Sequence, residues 1–279
     1  MLFSLLWASA FIAVKFALRS SPPLFLMGFR FLLAGAALLV IAWLRGNTFP
    51  NSLRDWRRLA ILGLLNNATY LGISAIALRS LSAGMGAVLA STMPLMLAAV
   101  APFILKERLG SVKMLGLLVA FISVVTIMYS RLGVGDAPSS MALILLANAL
   151  LVTGTLLFKH WAPHHDLFVV TGAQLLFASI ALLVPSLLIE PTAMISWDLT
   201  FWAAILYLAF VVSCGATLIW LFLLRSGEAS KASAFFFLNP VAGLFFGALL
   251  LGEPLRAIDF LGTAGVALGI YLVQRSTAG

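Results

Sequence analysis

The chain has 279 residues, of which 63% are hydrophobic and only 9% are charged, and its formal net charge is +8. Soluble domains carry roughly 25% charged residues, so a water-soluble fold of this length could not hide so much apolar surface. The composition excludes a soluble or disordered chain and predicts an all-α polytopic protein whose solvent is the lipid bilayer.

Ten apolar runs, separated by short turns rich in Gly, Pro and Ser, are each about long enough to cross the hydrocarbon core as a helix. In chain order, they predict spans over residues 2–18, 23–44, 58–78, 82–105, 112–130, 139–159, 167–189, 199–224, 230–251 and 256–274.

Basic residues are distributed unequally between the two sets of loops. With the N-terminus inside, eleven fall on the cytoplasmic side: Arg45, Arg54, Arg57, Arg58, Lys106, Arg108, Lys113, Lys159, Arg225, Lys231 and Arg275. Five fall on the other side: Lys15, Arg19, Arg79, Arg131 and Arg256. Because cytoplasmic loops carry the excess of Lys and Arg, the sequence predicts that both termini are cytoplasmic, in the bacterial inner membrane.

No basic patch is large enough to follow a phosphate backbone, so we expect no nucleic-acid partner.

The second half of the chain repeats features of the first. At a shift of 146 residues the matched pairs include Trp56 with Trp202, Leu78–Ser80 with Leu224–Ser226, Pro94 with Pro240, Glu107 with Glu253, and Gly116 with Gly262, and a shift of 144 matches Gly28 with Gly172. We therefore predict two five-helix repeats, residues 1–135 and 136–279. Since five is odd, the second repeat enters the membrane upside down, an organisation typical of secondary transporters with a central cavity.

Several of these segments resemble the EamA-type drug/metabolite transporter superfamily, in its ten-helix exporter group. They are Leu6–Phe11, Phe29–Phe31, Pro94 with Lys106–Leu109, and Asn239–Pro240 with Gly252–Leu255. The resemblance covers essentially the whole chain. It implies an inner-membrane exporter of amino acids, other metabolites or drugs, and more narrowly a YddG-like amino-acid exporter. It also implies a cavity walled mainly by helices 1–4 and 6–9, with helices 5 and 10 outside.

Polar side chains deep in the bilayer cost free energy and are therefore candidates for the substrate cavity. Those near mid-depth are Ser9, Asn66, Asn67, Tyr70, Ser91, Thr92, Asn148, Thr155, Gln174, Ser213, Thr217 and Asn239. A Ser or Thr hydroxyl could instead bond its own helix backbone or tie helices together. The amides are stronger candidates, because each has four hydrogen-bonding positions to satisfy.

A basic residue, deep aromatic rings and two prolines complete the candidate set. Arg30 lies about two turns inside helix 2, where it could face a substrate carboxylate or cap the outer vestibule. Trp7, Phe11 and Phe237 would suit bulky apolar substrate side chains, although lipid contact or packing also explains a single ring. Pro94 and Pro240 each free the carbonyl four residues earlier, that of Ala90 or Phe236, and are candidate hinges; a static kink is the alternative.

Together these features predict an alternating-access transporter of small metabolites. The resemblance implies an exporter of amino acids, and the deep aromatic rings favour bulky, aromatic or hydrophobic ones. A multidrug or other metabolite exporter, or a channel, are the alternatives. The sequence has no HExxH motif, no paired deep aspartates and no Ser–His dyad, so we expect no enzyme. His164–His165–Asp166 are loop neighbours without a distant ligand, so we expect no metal or other cofactor.

The acidic residues bear on energy coupling. All nine lie at span ends or in loops, whereas proton-coupled carriers commonly keep a carboxylate at mid-depth. The sequence favours a facilitator driven by the substrate gradient, or coupling of an unseen kind. The expected partners are a small-molecule substrate and membrane lipid, and the protein is expected to be a monomer or a homodimer through the Gly265–Gly269 face of helix 10.

Overall fold

The computed structural model describes residues 2–81, 83–106, 110–129, 137–161, 163–191, 195–251 and 255–275. These residues form ten helices and no strand: α1 (Leu2–Ala17), α2 (Pro23–Leu44), α3 (Leu53–Ala77), α4 (Ala83–Ala90 and Met93–Leu105), α5 (Ser111–Tyr129), α6 (Pro138–Trp161), α7 (Leu167–Ile189), α8 (Leu199–Ser226), α9 (Ala229–Ser233, Ala234–Phe237 and Leu238–Leu251) and α10 (Ala257–Arg275). Six of them, α2, α3, α6, α7, α8 and α10, are long and apolar enough to span a membrane.

The predicted all-helical membrane fold is confirmed, and most helix ends agree with the apolar runs within two or three residues. Some residues used in the sequence argument lie outside the described residues: Glu107, Arg108, Leu109, Arg131, Asp136, Gly252, Glu253 and Pro254.

The start of α3 was predicted wrongly. It begins at Leu53, five residues before the expected position, because Ser52 caps it: the Ser52 hydroxyl accepts a hydrogen bond from the Asp55 amide at 3.0 Å. The indole of Trp56 also donates to the Pro50 carbonyl at 2.9 Å. The first turns of α3 are polar, so a search for apolar runs could not include them.

Helices at equivalent places in the two halves pack against each other through glycines. In the α2–α7 pair, a Cβ on Gly28 would lie 2.7 Å from Leu183, and one on Gly35 would lie 3.0 Å from the Gly172 carbonyl. The Ser179 hydroxyl crosses the same interface to the Gly28 carbonyl at 2.9 Å. This close contact holds α2, which carries Arg30, against the body of the bundle.

The α5–α10 pair packs equally closely. A Cβ on Gly269 would lie 2.6 Å from both the Ala120 amide and the Gly116 carbonyl, and one on Gly265 would lie 2.2 Å from the Ser123 hydroxyl. The Gly265–Gly269 face, expected at a dimer contact, is therefore covered by α5 within the same chain. Small residues on α10 serve internal helix packing.

The helices that contain Pro94 and Pro240 are interrupted rather than kinked. In α4, a turn at Ser91–Thr92 separates the two helical segments, and Pro94 stands in the first turn of the second. In α9, a 3₁₀ segment, Ala234–Phe237, precedes the segment that contains Pro240. A proline is tolerated at a helix start because the N–H groups there have no intrahelical partner.

Two π-helical stretches also lie at equivalent places in the two halves, Leu64–Thr69 in α3 and Tyr207–Ala216 in α8. A π turn inserts an extra residue into the helical ladder and changes the direction of the side chains that follow, and such turns are frequent at functional sites. The apolar pattern of the sequence contains no sign of them.

Candidate substrate site

The guanidinium of Arg30 is buried within the bundle, with only 2% of the residue exposed. Its Nε–H donates to the Ser213 hydroxyl at 2.6 Å, and Nη1 lies 3.7 Å from the Met27 sulfur. No acidic side chain among the described residues lies within ion-pair distance of Arg30. A buried cation without a counter-ion is costly and is typical of a site that binds an anion.

The two π-helical stretches position the groups around this cation. The stretch in α8 carries Ser213 and Cys214, and the one in α3 leads into Tyr70, which is 2% exposed. Tyr70 and Arg30 line the same cavity, and the Cys214 thiol lies 3.7 Å from the Ala34 carbonyl of α2. One guanidinium N–H donates to Ser213 and one to the Met27 sulfur, and the remaining three have no hydrogen-bond partner among the described residues, so the guanidinium can take up a carboxylate.

A cavity adjoins Arg30 between α1, α2, α3 and α8. Its lining includes Trp7 and Phe11 from α1, Arg30, and Tyr70 and Ser74 from α3. The free volume is about 30 Å³, roughly that of one water molecule. The site is thus nearly closed in this conformation, and a larger ligand requires the helices around it to separate.

An aromatic cluster lies beside the cavity. Trp7 stacks on Tyr70 with ring centroids 6.3 Å apart, and it meets Phe236 edge-on at 5.6 Å. Phe3 and Trp220 extend the cluster, each 5.3 Å from the Phe236 ring. These rings join α1, α3, α8 and the interrupted part of α9, so the cavity wall is coupled to the break in α9.

The two interrupted helices meet through a hydrogen bond. The Ser91 hydroxyl, at the break in α4, donates to the Phe236 carbonyl at 3.2 Å. This is the carbonyl that Pro240 frees from α9. The Ser4 hydroxyl of α1 donates to the adjacent Phe235 carbonyl at 2.9 Å. The Phe235 and Phe236 carbonyls, which also accept from the Leu238 amide, therefore receive further hydrogen bonds from side chains of the first half of the chain.

The break in α4 has its own polar partners. The Asn148 amide of α6 donates to the Leu89 carbonyl at 2.6 Å and to the Thr92 hydroxyl at 3.0 Å. The Asn148 carbonyl oxygen has no hydrogen-bond partner among the described residues. Asn148 and Thr92 therefore support the interruption, on the side of α4 that faces α6, and are not in the lining of the Arg30 cavity.

A separate amide pair lies between α3, α6 and α7. The Asn66 amide donates to Gln174 at 3.4 Å, and a Cβ on Gly154 would overlap the Asn66 carbonyl oxygen. Asn67, 4% exposed, is in the same π turn. The structure brings these predicted residues together at a helix interface, apart from the residues that line the Arg30 cavity.

Other predicted residues lie elsewhere in the bundle. The Ser9 hydroxyl is 2.5 Å from that of Tyr207, in an apolar groove of about 640 Å³ between α1, α8 and α9. Phe237 packs in the cluster formed with α5 and α10, because the 3₁₀ turn sends neighbouring rings to different sides. Thr155, Thr217 and Asn239 lie on α6, α8 and α9, away from the cavity lining.

Sequence reasoning missed several contributors to the site. Phe3, Trp220 and Met27 are apolar, and nothing distinguishes them from ordinary packing residues before the fold is known. Ser74 and Tyr207 carried a usable signal, since each is a hydroxyl inside an apolar run.

Charged side chains make hydrogen bonds and ion pairs that stabilise both ends of the bundle. At the α1–α2 end, Glu190 accepts hydrogen bonds from the amides of Leu24 and Phe25 at 2.9 and 2.8 Å, capping α2. At the opposite end, Glu228 binds Lys113 and Lys231. Burial alone would raise the pKa of Glu228, but its hydrogen bond with Lys113 and the charges of both lysines lower that pKa below its ordinary value.

The histidine-containing loop also helps to close that end. Arg225 donates to the carbonyls of Pro163 and His165, and the His165 ring lies 3.7 Å from Asp55. Asp166 caps α7 by accepting from the Phe168 amide at 2.8 Å. Within the described residues, no three His, Cys, Asp or Glu side chains are grouped to hold a metal ion.

Comparison with known proteins gives the family. The EamA-like transporter family matches this chain twice, over residues 1–129 and 138–275. The uncharacterized transporter sll0355 of Synechocystis sp. is 27% identical over 97% of this chain and 87% of its own length. The uncharacterized transporter YvbV of Bacillus subtilis is 27% identical over 97% and 88%. The uncharacterized inner membrane transporter YedA of Escherichia coli K12 is 27% identical over 96% and 87%.

A solved crystal structure has the same fold. It superposes on this chain with a TM-score of 0.82 at 18% identity and covers 97% of this chain and 93% of its own. The family resemblance seen in the sequence is confirmed, while its narrower amino-acid-exporter part stays a prediction. With ten apolar helices and two family matches that together span almost its whole length, the chain belongs to the EamA-like transporter family and is a multi-pass membrane transporter, not an enzyme.

Proposed function

We propose that this transporter exports amino acids with bulky, aromatic or hydrophobic side chains, and that Arg30 binds their carboxylate. The observation that carries the proposal is the buried guanidinium of Arg30, which has no acidic partner among the described residues and borders an aromatic cavity. A planar guanidinium binds a carboxylate through two parallel hydrogen bonds, a geometry that an ammonium group cannot match. Trp7, Phe11 and Tyr70 supply apolar surface for the substrate side chain.

The proposed mechanism is alternating access, with Pro94 and Pro240 at the hinges. The cavity is too small for an amino acid in this conformation, so binding requires helices to move. The breaks in α4 and α9 lack a continuous hydrogen-bond ladder, so bending there disrupts few intrahelical bonds. The bond from Ser91 to the Phe236 carbonyl would let the two breaks move together.

The topology and energetics complete the proposal. In this proposal, residues 1–135 and 136–279 form two inverted repeats, and both termini face the cytoplasm. The membrane is the inner membrane, which is where the name of the relative YedA places that protein. The two family matches and the positive-inside count support this. We further propose an uncoupled facilitator, because in the sequence every acidic residue falls at the end of an apolar run or between two runs. Substrate-dependent proton flux into proteoliposomes would overturn that part.

The experiment is counterflow of radiolabelled substrates in proteoliposomes, using a panel of amino acids and cationic drugs. The proposal predicts saturable counterflow of aromatic and large aliphatic amino acids. It also predicts that Arg30→Gln abolishes this counterflow while Arg45→Gln, at an exposed arginine directly after the end of α2, does not. Transport of cationic drugs without amino acids would overturn the substrate, and non-saturable flux would indicate a channel.

A second candidate function is export of lipophilic compounds taken from the bilayer. It is favoured by the groove of about 640 Å³ between α1, α8 and α9, whose lining is almost wholly apolar. Ser9 and Tyr207 are its polar groups near mid-depth. Uptake of a neutral lipophilic dye that is unaffected by Arg30→Gln and lost in Ala203→Trp, a change in the groove lining, would select this function.

A further inference from the structure

We infer that the Arg30 site recognises a carboxylate and not the neighbouring ammonium group, so that its preferred ligands are aromatic or apolar monocarboxylates without an amino group. The inference rests on the proposed function, because it takes the Arg30 cavity as the substrate site. It ranks organic anions above zwitterions, such as amino acids, as ligands of this site.

The first argument is the charge of the cavity. Arg30 is the one charged side chain in the described lining, and the other polar groups there are the Tyr70 and Ser74 hydroxyls and the Trp7 indole. The site can therefore neutralise one negative charge. A zwitterion would bring a positive charge beside the guanidinium, where the low dielectric strengthens like-charge repulsion.

The second argument is that the described lining of the cavity holds no carboxylate that could pair with an ammonium group. The sequence has nine acidic residues, and none lies in the middle of an apolar run. At the α1–α2 end of the bundle, Glu190 accepts hydrogen bonds from the amides of Leu24 and Phe25, and Asp198 accepts one from that of Phe201 at 2.7 Å.

The third argument concerns the aromatic faces, which could otherwise bind an ammonium group through cation–π contact. One face of Trp7 stacks on Tyr70, and its edge contacts are taken by Phe3 and Phe236. Of the rings in the described lining, Trp7 and Tyr70 are engaged with each other, and Phe11 is a single ring rather than an aromatic cage. An aromatic tail beside a carboxylate fits this wall, whereas an ammonium group would lose water without gaining a partner.

Three ligands share one phenyl ring and differ in their charged groups: 3-phenylpropanoate has a carboxylate, 2-phenylethylamine has an ammonium group, and L-phenylalanine has both. Their binding to the purified protein is measured by isothermal titration calorimetry, and their inhibition of labelled phenylalanine counterflow is measured in proteoliposomes. We expect 3-phenylpropanoate to bind about tenfold or more tightly than phenylalanine, since an unpaired ammonium group is costly in a dry site. We expect no binding of 2-phenylethylamine.

The variant Arg30→Gln should lose 3-phenylpropanoate binding, and Arg45→Gln should keep it. Binding of phenylalanine with tenfold weaker binding of 3-phenylpropanoate would overturn the inference and leave the proposed function intact. Binding of 2-phenylethylamine to the wild type would also overturn the inference. If phenylalanine is neither bound nor transported but 3-phenylpropanoate binds through Arg30, the amino-acid proposal fails and the inference stands.

Discussion

Ser213 should act as a positioning residue for Arg30, and its hydroxyl can be removed without touching the cavity wall. The Nε–H···Oγ distance is 2.6 Å, and Ser213 is 1% exposed, so water does not replace the lost partner in Ser213→Ala. Leaving a buried donor unsatisfied costs about 1–3 kcal/mol. If the free energy of ligand binding weakens by this amount, the dissociation constant of the ligand rises about 5- to 150-fold.

The assay for Ser213 compares substrate dissociation constants and thermal unfolding midpoints in detergent. Ser179→Ala is the matched control, because the Ser179 hydroxyl is equally buried, also bonds α2, and does not contact Arg30. We expect Ser179→Ala to lower the midpoint only, Ser213→Ala to weaken binding, and Ser213→Thr to restore it. Equal effects of the two alanine variants on binding would refute the positioning role.

Three further predictions concern packing, pH and the hinge. Gly269→Ala should destabilise the α5–α10 pair by about 1–3 kcal/mol because its Cβ has no room, whereas Gly215→Ala, whose nearest neighbour is 3.9 Å away, should not lower the unfolding midpoint. The lowered pKa of Glu228 means that its pairing with Lys113 stabilises the protein above pH 4.5, the ordinary value, and is lost as the pH falls further. Pro240→Ala should slow turnover at an unchanged dissociation constant, because a restored N–H competes with Ser91 for the Phe236 carbonyl.

Each of these predictions has a result that contradicts it. A Gly269→Ala protein as stable as the wild type would show that α5 and α10 separate freely. If Glu228→Gln unfolds with the same acid dependence as the wild type, another carboxylate is responsible. Wild-type turnover in Pro240→Ala would remove the hinge role.

The helical architecture could be predicted because lipid imposes one rule on every span. Each helix must be apolar where it crosses the hydrocarbon core, so composition along the chain locates α2, α7 and α10 almost to the residue. The start of α3 could not be predicted in this way, because it lies in a polar segment and depends on a local cap. There, the Ser52 hydroxyl accepts a hydrogen bond from the Asp55 amide.

The site was only partly predictable, since depth in the membrane does not determine direction around a helix. Arg30, Tyr70 and Trp7 were singled out by their depth, and the structure places them around one cavity. Ser9 has similar depth but bonds Tyr207 on the other side of α1. The π turn in α3 and the 3₁₀ turn in α9 rotate the side chains near them, which explains why Asn66 and Phe237 pack elsewhere.

The central claim is that Arg30 binds the substrate carboxylate, and equilibrium binding tests it most directly. Calorimetric titration of L-phenylalanine and 3-phenylpropanoate into purified wild-type, Arg30→Gln and Arg45→Gln protein gives the required comparison. A charge-assisted hydrogen bond contributes about 1.5–3 kcal/mol, so the account predicts that Arg30→Gln binds its carboxylate ligand at least about tenfold more weakly while Arg45→Gln is unchanged. Wild-type affinity in a folded Arg30→Gln protein would contradict it.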